Sequence, residues 1–123
     1  MQYQHTDTDL PIESEYPKLI RDRIPQVVYR NDGSRVPHRT AIDKAEYIAL
    51  LKKKVIEESE ELAAAEIKIH ITEEIADLQE LIDALVKAVG VTPDDVQAVR
   101  ADKRTKRGGF DQRLIMTGPT EQE

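Results

Sequence analysis

The sequence has no cysteine and no tryptophan, and its aromatic residues are limited to four tyrosines and one phenylalanine. The absence of cysteine excludes disulfides, thiolate metal sites and cysteine nucleophiles. The scarcity of aromatics means that any core must be built mainly from Leu, Ile, Val and Ala. This set of residues favours helices, and the abundant charged residues are sufficient to cover their outer faces.

The sequence also lacks a long hydrophobic run. No apolar stretch approaches the roughly 20 residues needed to cross a bilayer, so we expect no membrane partner. Residues 1–15 are polar and acidic, without the apolar segment of a secretory signal. We predict that they form a flexible lead-in and that the protein is cytoplasmic.

The charge is unevenly distributed along the 123 residues, a length that suits one domain. The net charge is −6. Acidic residues concentrate between positions 57 and 83, whereas positions 100–113 are strongly basic. A globally acidic chain is a poor candidate for stable nucleic-acid binding. An acidic centre facing a basic segment fits a metal-bound phosphate ester better.

The hydrophobic periodicity predicts an all-α fold. Three long helices are expected, at about 42–67, 72–89 and 93–107. Thr72 is the predicted N-cap of the second helix and Gly90 its stop, while Thr92 and Pro93 open the third. One or two short helical turns are expected within 19–28, interrupted at Pro25, followed by a turn at 31–34.

Short connections between these helices imply antiparallel neighbours, hence a helical hairpin or bundle. Three helices with wide apolar faces leave surface uncovered. We therefore expect a homodimer that completes the bundle.

Two pairs of carboxylates stand out on the first two long helices. The members of each pair are three residues apart, which stacks them on one helical face, close enough to share a cation. Both pairs touch the apolar stripe, where a carboxylate is costly unless it is paired or binds a cation. Hard oxygen ligands without His or Cys favour Mg²⁺, with Mn²⁺ as a substitute. The pairs are Glu58 with Glu61, and Glu74 with Asp77.

Any single acidic residue on a helix is more often part of a solvated face. Glu57, Glu60 and Glu73 are each compatible with that interpretation. The two spaced pairs on consecutive helices are harder to explain in this way.

The chain resembles the all-α nucleoside-triphosphate pyrophosphohydrolases of the MazG-like superfamily. Four segments in order carry the resemblance, and it covers positions 16–116, with a polar tail at 117–123. The flanking segments are similar to those of a compact MazG-like branch of predicted house-cleaning enzymes. The four segments lie at positions 18–25, 57–61, 73–77 and 103–110.

The resemblance implies Mg²⁺-dependent hydrolysis between the α and β phosphates, yielding a nucleoside monophosphate and pyrophosphate. It assigns the metal ligands to Glu58, Glu61, Glu74 and Asp77. It assigns Glu57 to orienting or deprotonating the attacking water.

Basic residues at both ends of the chain are candidates for binding the substrate phosphates. Lys103 and Arg107 are four residues apart and share a helical face. Lys18 and Arg21 could approach the same site from the N-terminal side. Two alternatives remain: solvated surface charge, and a structural ion pair of Arg21 with Asp22 that docks the N-terminal segment.

Two other functional classes remain open. One is a non-catalytic helical interaction or regulatory protein on the same scaffold. The other is a nucleic-acid binder that uses residues 100–113, whose affinity would fall steeply with salt and depend little on Mg²⁺.

Overall fold

The structure, a computed structural model, describes residues 16–120. The predicted lead-in at 1–15 and the last three residues of the tail lie outside the described residues. Within 16–120 the chain forms four helices and no strand, which confirms the all-α prediction. The helices are α1, Ile24–Val27; α2, Lys44–Ala64; α3, Lys68–Val89; and α4, Pro93–Arg107.

The chain divides into two compact units, one ending at Val91 and the other beginning at Thr92. The first unit contains α1 and the α2–α3 hairpin, and the second contains α4 and the residues that follow it. No helix in the described residues is long and apolar enough to cross a membrane.

Helix α1 is a single turn with Pro25 as its second residue. At this position the backbone N–H has no partner within the helix, so its absence in proline costs no hydrogen bond. The predicted interruption at Pro25 is therefore wrong. Pro25 and Val28 are buried. The predicted turn at 31–34 is confirmed: the Asp32 carboxylate accepts hydrogen bonds from the Ser34 N–H at 2.9 Å and from its hydroxyl at 2.6 Å.

Helix α2 begins with two side-chain caps. The Asp43 carboxylate accepts a hydrogen bond from the Glu46 N–H at 2.8 Å, and Glu46 accepts one from the Ile42 N–H at 2.8 Å. Arg39 donates two further hydrogen bonds to the Glu46 carboxylate, at 2.9 and 2.8 Å. These contacts join segment 39–43 to the first turn of α2.

Helix α3 begins at Lys68, four residues earlier than predicted, so that only residues 65–67 separate it from α2. The prediction of Thr72 as N-cap is wrong. Thr72 lies inside the helix, where its hydroxyl donates a hydrogen bond to the Lys68 carbonyl at 2.8 Å. Gly90 ends the helix with a left-handed backbone (φ 86°), as predicted.

Helix α4 is opened by Thr92 and Pro93, also as predicted. The Thr92 hydroxyl accepts a hydrogen bond from the Asp95 N–H at 3.0 Å, and the Asp95 carboxylate accepts one from the Thr92 N–H at 2.9 Å. Gly108 caps the C-terminal end with φ 80°, a conformation that glycine adopts without steric cost.

The buried apolar core of the described residues is small and consists of Pro25, Val28, Leu51 and Ala88. Leu51 belongs to α2, Ala88 lies near the end of α3, and Val28 follows α1. Three large apolar residues of α3 are exposed at seven-residue intervals along one face: Ile75, Ile82 and Val89. One monomer therefore leaves an apolar stripe of α3 uncovered.

Candidate metal centre

Antiparallel pairing of α2 and α3 brings the two predicted carboxylate pairs together. The three-residue connection places each pair at a similar distance from the turn, and the one-turn spacing aims both members of a pair at the facing helix. Each of the four predicted ligands belongs to a group of carboxylates that could hold a cation.

Two overlapping groups form this acidic cluster. Glu57, Glu58 and Glu61 each offer an oxygen within 4.8 Å of the others, and Glu58, Glu74 and Asp77 do the same. Glu58 belongs to both groups and so joins α2 to α3. It is buried, with 6% of its surface exposed. An ionised carboxylate in that position is costly unless a positive charge or a cation compensates it.

Two oxygens of the cluster are buried without a hydrogen-bond partner in the described part of the chain: Oε2 of Glu61 and Oε2 of Glu74. Unpartnered buried carboxylate oxygens are rare, because each loses its hydration without replacement. All the candidate ligand atoms are hard oxygens, which fit Mg²⁺ or Mn²⁺. The residues present therefore fit the divalent cation that the sequence predicted.

The raised pKa values of two carboxyl groups in the cluster also indicate a site for a cation. Burial, followed by the hydrogen bond and negative charge of Glu58, raises the pKa of Glu61 to about 8. Burial and the charge of Glu58 raise the pKa of Glu74 to about 7. Without a cation, the site therefore holds protons at pH values where isolated carboxyl groups are ionised. A divalent cation would displace those protons.

Glu57 is buried, with 4% of its surface exposed, so its interpretation as a solvated residue is wrong. Its Oε1 accepts a hydrogen bond from Lys54 at 2.9 Å, and its Oε2 lies 3.8 Å from the Lys18 ammonium. Glu60 and Glu73 are exposed, as that interpretation predicted.

Lys54 is a site residue that the sequence analysis missed. It lies three residues before Glu57, and this spacing was the available signal, since it puts a lysine and a glutamate on one helical face.

The N-terminal segment 17–21 lies across the hairpin and is fastened to both helices. Lys18 contacts Glu57 on α2, and its side chain is 3% exposed. Arg21 donates a hydrogen bond to Asp77 on α3 at 2.8 Å. Lys53 donates one to the Pro17 carbonyl at 2.8 Å. The two predicted phosphate-binding residues of this segment therefore do lie beside the carboxylates.

The contact of Arg21 with Asp77 replaces the predicted pair of Arg21 with Asp22. The segment is docked by an ion pair, as that alternative held, but the partner is a predicted metal ligand 56 residues away.

The other predicted phosphate-binding residues, Lys103 and Arg107, are exposed on α4 in the second unit. On the same helix, Lys106 pairs with Asp102 at 3.2 Å. A side chain at Gly109 would come within 2.9 Å of the Arg104 guanidinium, so this glycine permits the arginine to fold over the backbone.

Comparisons with known proteins add no assignment. No protein-family model matches the sequence, and no curated protein or solved structure resembles it significantly. The functional conclusion therefore depends on the residues and their geometry.

Proposed function

We propose that this protein is a Mg²⁺-dependent nucleoside-triphosphate pyrophosphohydrolase of the MazG-like type, acting in the cytoplasm. The observation that carries the proposal is the acidic cluster, in which Glu61 and Glu74 each bury an oxygen without a partner. An interaction protein has no need of such a cluster, because it is costly unless a cation binds.

In this proposal Glu58, Glu61, Glu74 and Asp77 hold the cation. Mg²⁺ there would neutralise the polyphosphate, position water and stabilise the charge that develops on the leaving pyrophosphate. Mg²⁺ suits a phosphate substrate because it keeps sites for waters and phosphate oxygens besides its protein ligands.

The protein residues have separate roles in the reaction. Water hydrolyses the P–O–P linkage between the α and β phosphates. One of its two P–O bonds breaks, which gives the monophosphate and pyrophosphate. Glu57, fixed in place by Lys54 and Lys18, orients the attacking water. Arg21, whose side chain is largely exposed beside Asp77, would bind a phosphate of the substrate.

Lys103 and Arg107, on α4 of the second unit, stay predicted phosphate-binding residues. They are exposed, and the spacing of one helical turn lets both contact one polyphosphate. Replacing either one with Ala should raise KM for the nucleotide about tenfold, the effect of losing one charge-assisted contact, with no change in stability.

A homodimer belongs to the same proposal. The exposed stripe of Ile75, Ile82 and Val89 has the seven-residue spacing of a helix seam. A second copy packed against this stripe would remove it from water and complete a four-helix bundle.

The test is turnover of a panel of canonical, deoxy and damaged nucleoside triphosphates, with phosphoribosyl-ATP included. We expect monophosphate and pyrophosphate to form with Mg²⁺ or Mn²⁺ and to disappear with EDTA. Glu61→Gln and Asp77→Asn should abolish turnover with the fold kept, whereas Glu60→Gln, on the exposed face of the same helix, should retain it. Absence of turnover across the panel with either metal would refute the proposal and favour a non-catalytic role.

A further inference from the structure

A cavity of about 770 Å³ lies at the open end of the α2–α3 hairpin, away from the three-residue connection. Segment 17–25 and segment 38–44 form part of its wall, and the start of α2 and the end of α3 contribute the rest. This volume is within the range of small-molecule sites in proteins. The cavity is separate from the acidic cluster, none of whose carboxylates lines it.

The cavity and the acidic cluster lie along one face of α2. Tyr47 and Leu50 line the cavity, and Lys54, Glu58 and Glu61 continue the same face at intervals of three or four residues. Leu50 precedes Glu57 by seven residues, about 10 Å along the helix axis. A ligand could therefore occupy both places at once.

Lys18 and Arg21 lie at the boundary between the cavity and the acidic cluster. Both residues line the cavity, and both also contact a carboxylate of the cluster: Lys18 lies 3.8 Å from Glu57, and Arg21 lies 2.8 Å from Asp77. If the phosphates of a nucleotide bind at the acidic cluster, the nucleotide extends past these two cations and its remaining part lies in the cavity.

The chemistry of the cavity wall is mixed. Leu19, Ile20, Leu50 and Ala88 supply apolar surface, and Tyr47 supplies an aromatic face against which a planar ring can stack. Arg39 on the wall donates two hydrogen bonds to Glu46, which hold its guanidinium beside the first turn of α2.

We infer that this cavity binds the nucleobase of the substrate, with Tyr47 and Leu50 as base-contacting residues and Lys18 and Arg21 between the base and the reacting phosphates. The inference rests on the proposed function, because the phosphates at the carboxylates set the direction of the nucleotide. The apolar part of the wall and the aromatic face of Tyr47 fit a planar heterocycle, the charged residues of the wall can meet its polar edge, and the cations at the boundary fit the phosphates attached to it.

The experiment compares a substrate with a base to one without. Leu50→Trp should fill the cavity, and Lys52→Trp is its matched control, since Lys52 is exposed two residues away on α2. Each protein is assayed with the best nucleoside triphosphate of the panel and with inorganic tripolyphosphate, which has no base. Leu50→Trp should raise KM for the nucleotide at least tenfold and leave tripolyphosphate cleavage within about twofold of wild type. Lys52→Trp should change neither.

A second variant protects the test against misfolding of Leu50→Trp. Tyr47→Leu keeps an apolar side chain but removes the aromatic face, and it should raise KM for the nucleotide about threefold to tenfold without affecting tripolyphosphate. An unchanged KM for the nucleotide in a folded Leu50→Trp protein would overturn the inference. Equal losses with both substrates would also overturn it, since the cavity would then act only through the shape of the metal centre.

A binding measurement separates this inference from the proposed reaction. Wild-type protein is titrated without metal with nucleoside 5′-monophosphates and with ribose 5-phosphate, and ligand contacts are followed by saturation-transfer NMR. We expect transfer to the base protons in wild type and Lys52→Trp, and its loss in Leu50→Trp. Base contacts without any turnover would support the cavity while refuting the reaction. Equal binding by wild type and Leu50→Trp would assign the cavity to another occupant, such as a segment of protein.

Discussion

Substitution of Glu61 by glutamine should make the metal-free protein more stable at alkaline pH. Its pKa in the folded protein is about 8 and that of Glu74 about 7, against an ordinary value of 4.5. The folded state therefore binds protons more tightly than the unfolded state. This contribution to stability is fully present below about pH 4.5 and is lost as the pH rises through 7 and 8.

The magnitude follows from the difference between these pKa values. At about 1.4 kcal/mol per pH unit, the change from 4.5 to about 8 sets an upper limit near 5 kcal/mol for Glu61. The side chain is only partly buried, and water screens the repulsion by Glu58 and Glu74. A loss of about 1–2 kcal/mol between pH 5 and 8.5 is therefore the expected size.

The assay is urea unfolding followed by circular dichroism, in EDTA and at one fixed protein concentration. Wild type should lose about 1–2 kcal/mol between pH 5 and 8.5, and Glu61→Gln should lose no more than half as much. Glu60→Gln, with its exposed side chain, should behave as wild type. Mg²⁺ at a hundred times its Kd should restore about 2.7 kcal/mol to wild type at pH 8.5, and much less to Glu61→Gln.

A stability of wild type that is constant or increases from pH 5 to 8.5 in EDTA would refute this reasoning. So would an equal effect of the Glu60 and Glu61 substitutions, because the pH dependence would then reflect net charge rather than the buried cluster.

Three further predictions concern Lys54 on α2, the exposed stripe of α3 and the glycine that ends α3. Lys54→Met should destabilise the protein by about 2 kcal/mol, because Glu57 is left buried with Lys18 alone, whereas Lys52→Met on the exposed face should be neutral in the same urea titration. If the proposed dimer forms, Ile82→Glu should convert it to a monomer in sedimentation analysis, and an unchanged dimer mass would remove the α3 stripe from the proposed interface. Gly90→Ala should cost about 1 kcal/mol by thermal unfolding, since the open space around Gly90 leaves only the left-handed backbone (φ 86°) to resist a side chain.

Most of the features that could be predicted from the sequence depend on residues close together in the chain. The all-α class follows from periodicity, and Gly90 and Thr92 mark helix ends through their own backbone and side-chain chemistry. The carboxylate pairs were predictable because a spacing of three residues fixes their common face wherever the helix lies. These features depend on interactions within a few residues, which a sequence displays directly.

Helix α3 shows where local rules were insufficient. Thr72 has the chemistry of an N-cap, yet the helix begins at Lys68 without a side-chain cap. Packing of α3 against α2 outweighs a capping contribution of about 1 kcal/mol. A sequence gives no direct measure of that packing.

Only the tertiary structure decided which groups meet across long stretches of chain. It buried Glu57 between Lys54 and Lys18, although the sequence was also compatible with a solvated side chain at this position. It paired Arg21 with Asp77 rather than with its neighbour. Helical spacing fixes the direction of a side chain relative to its own helix. The burial, charge and partners that set its chemistry come from a second segment, whose position depends on the packing of the whole unit.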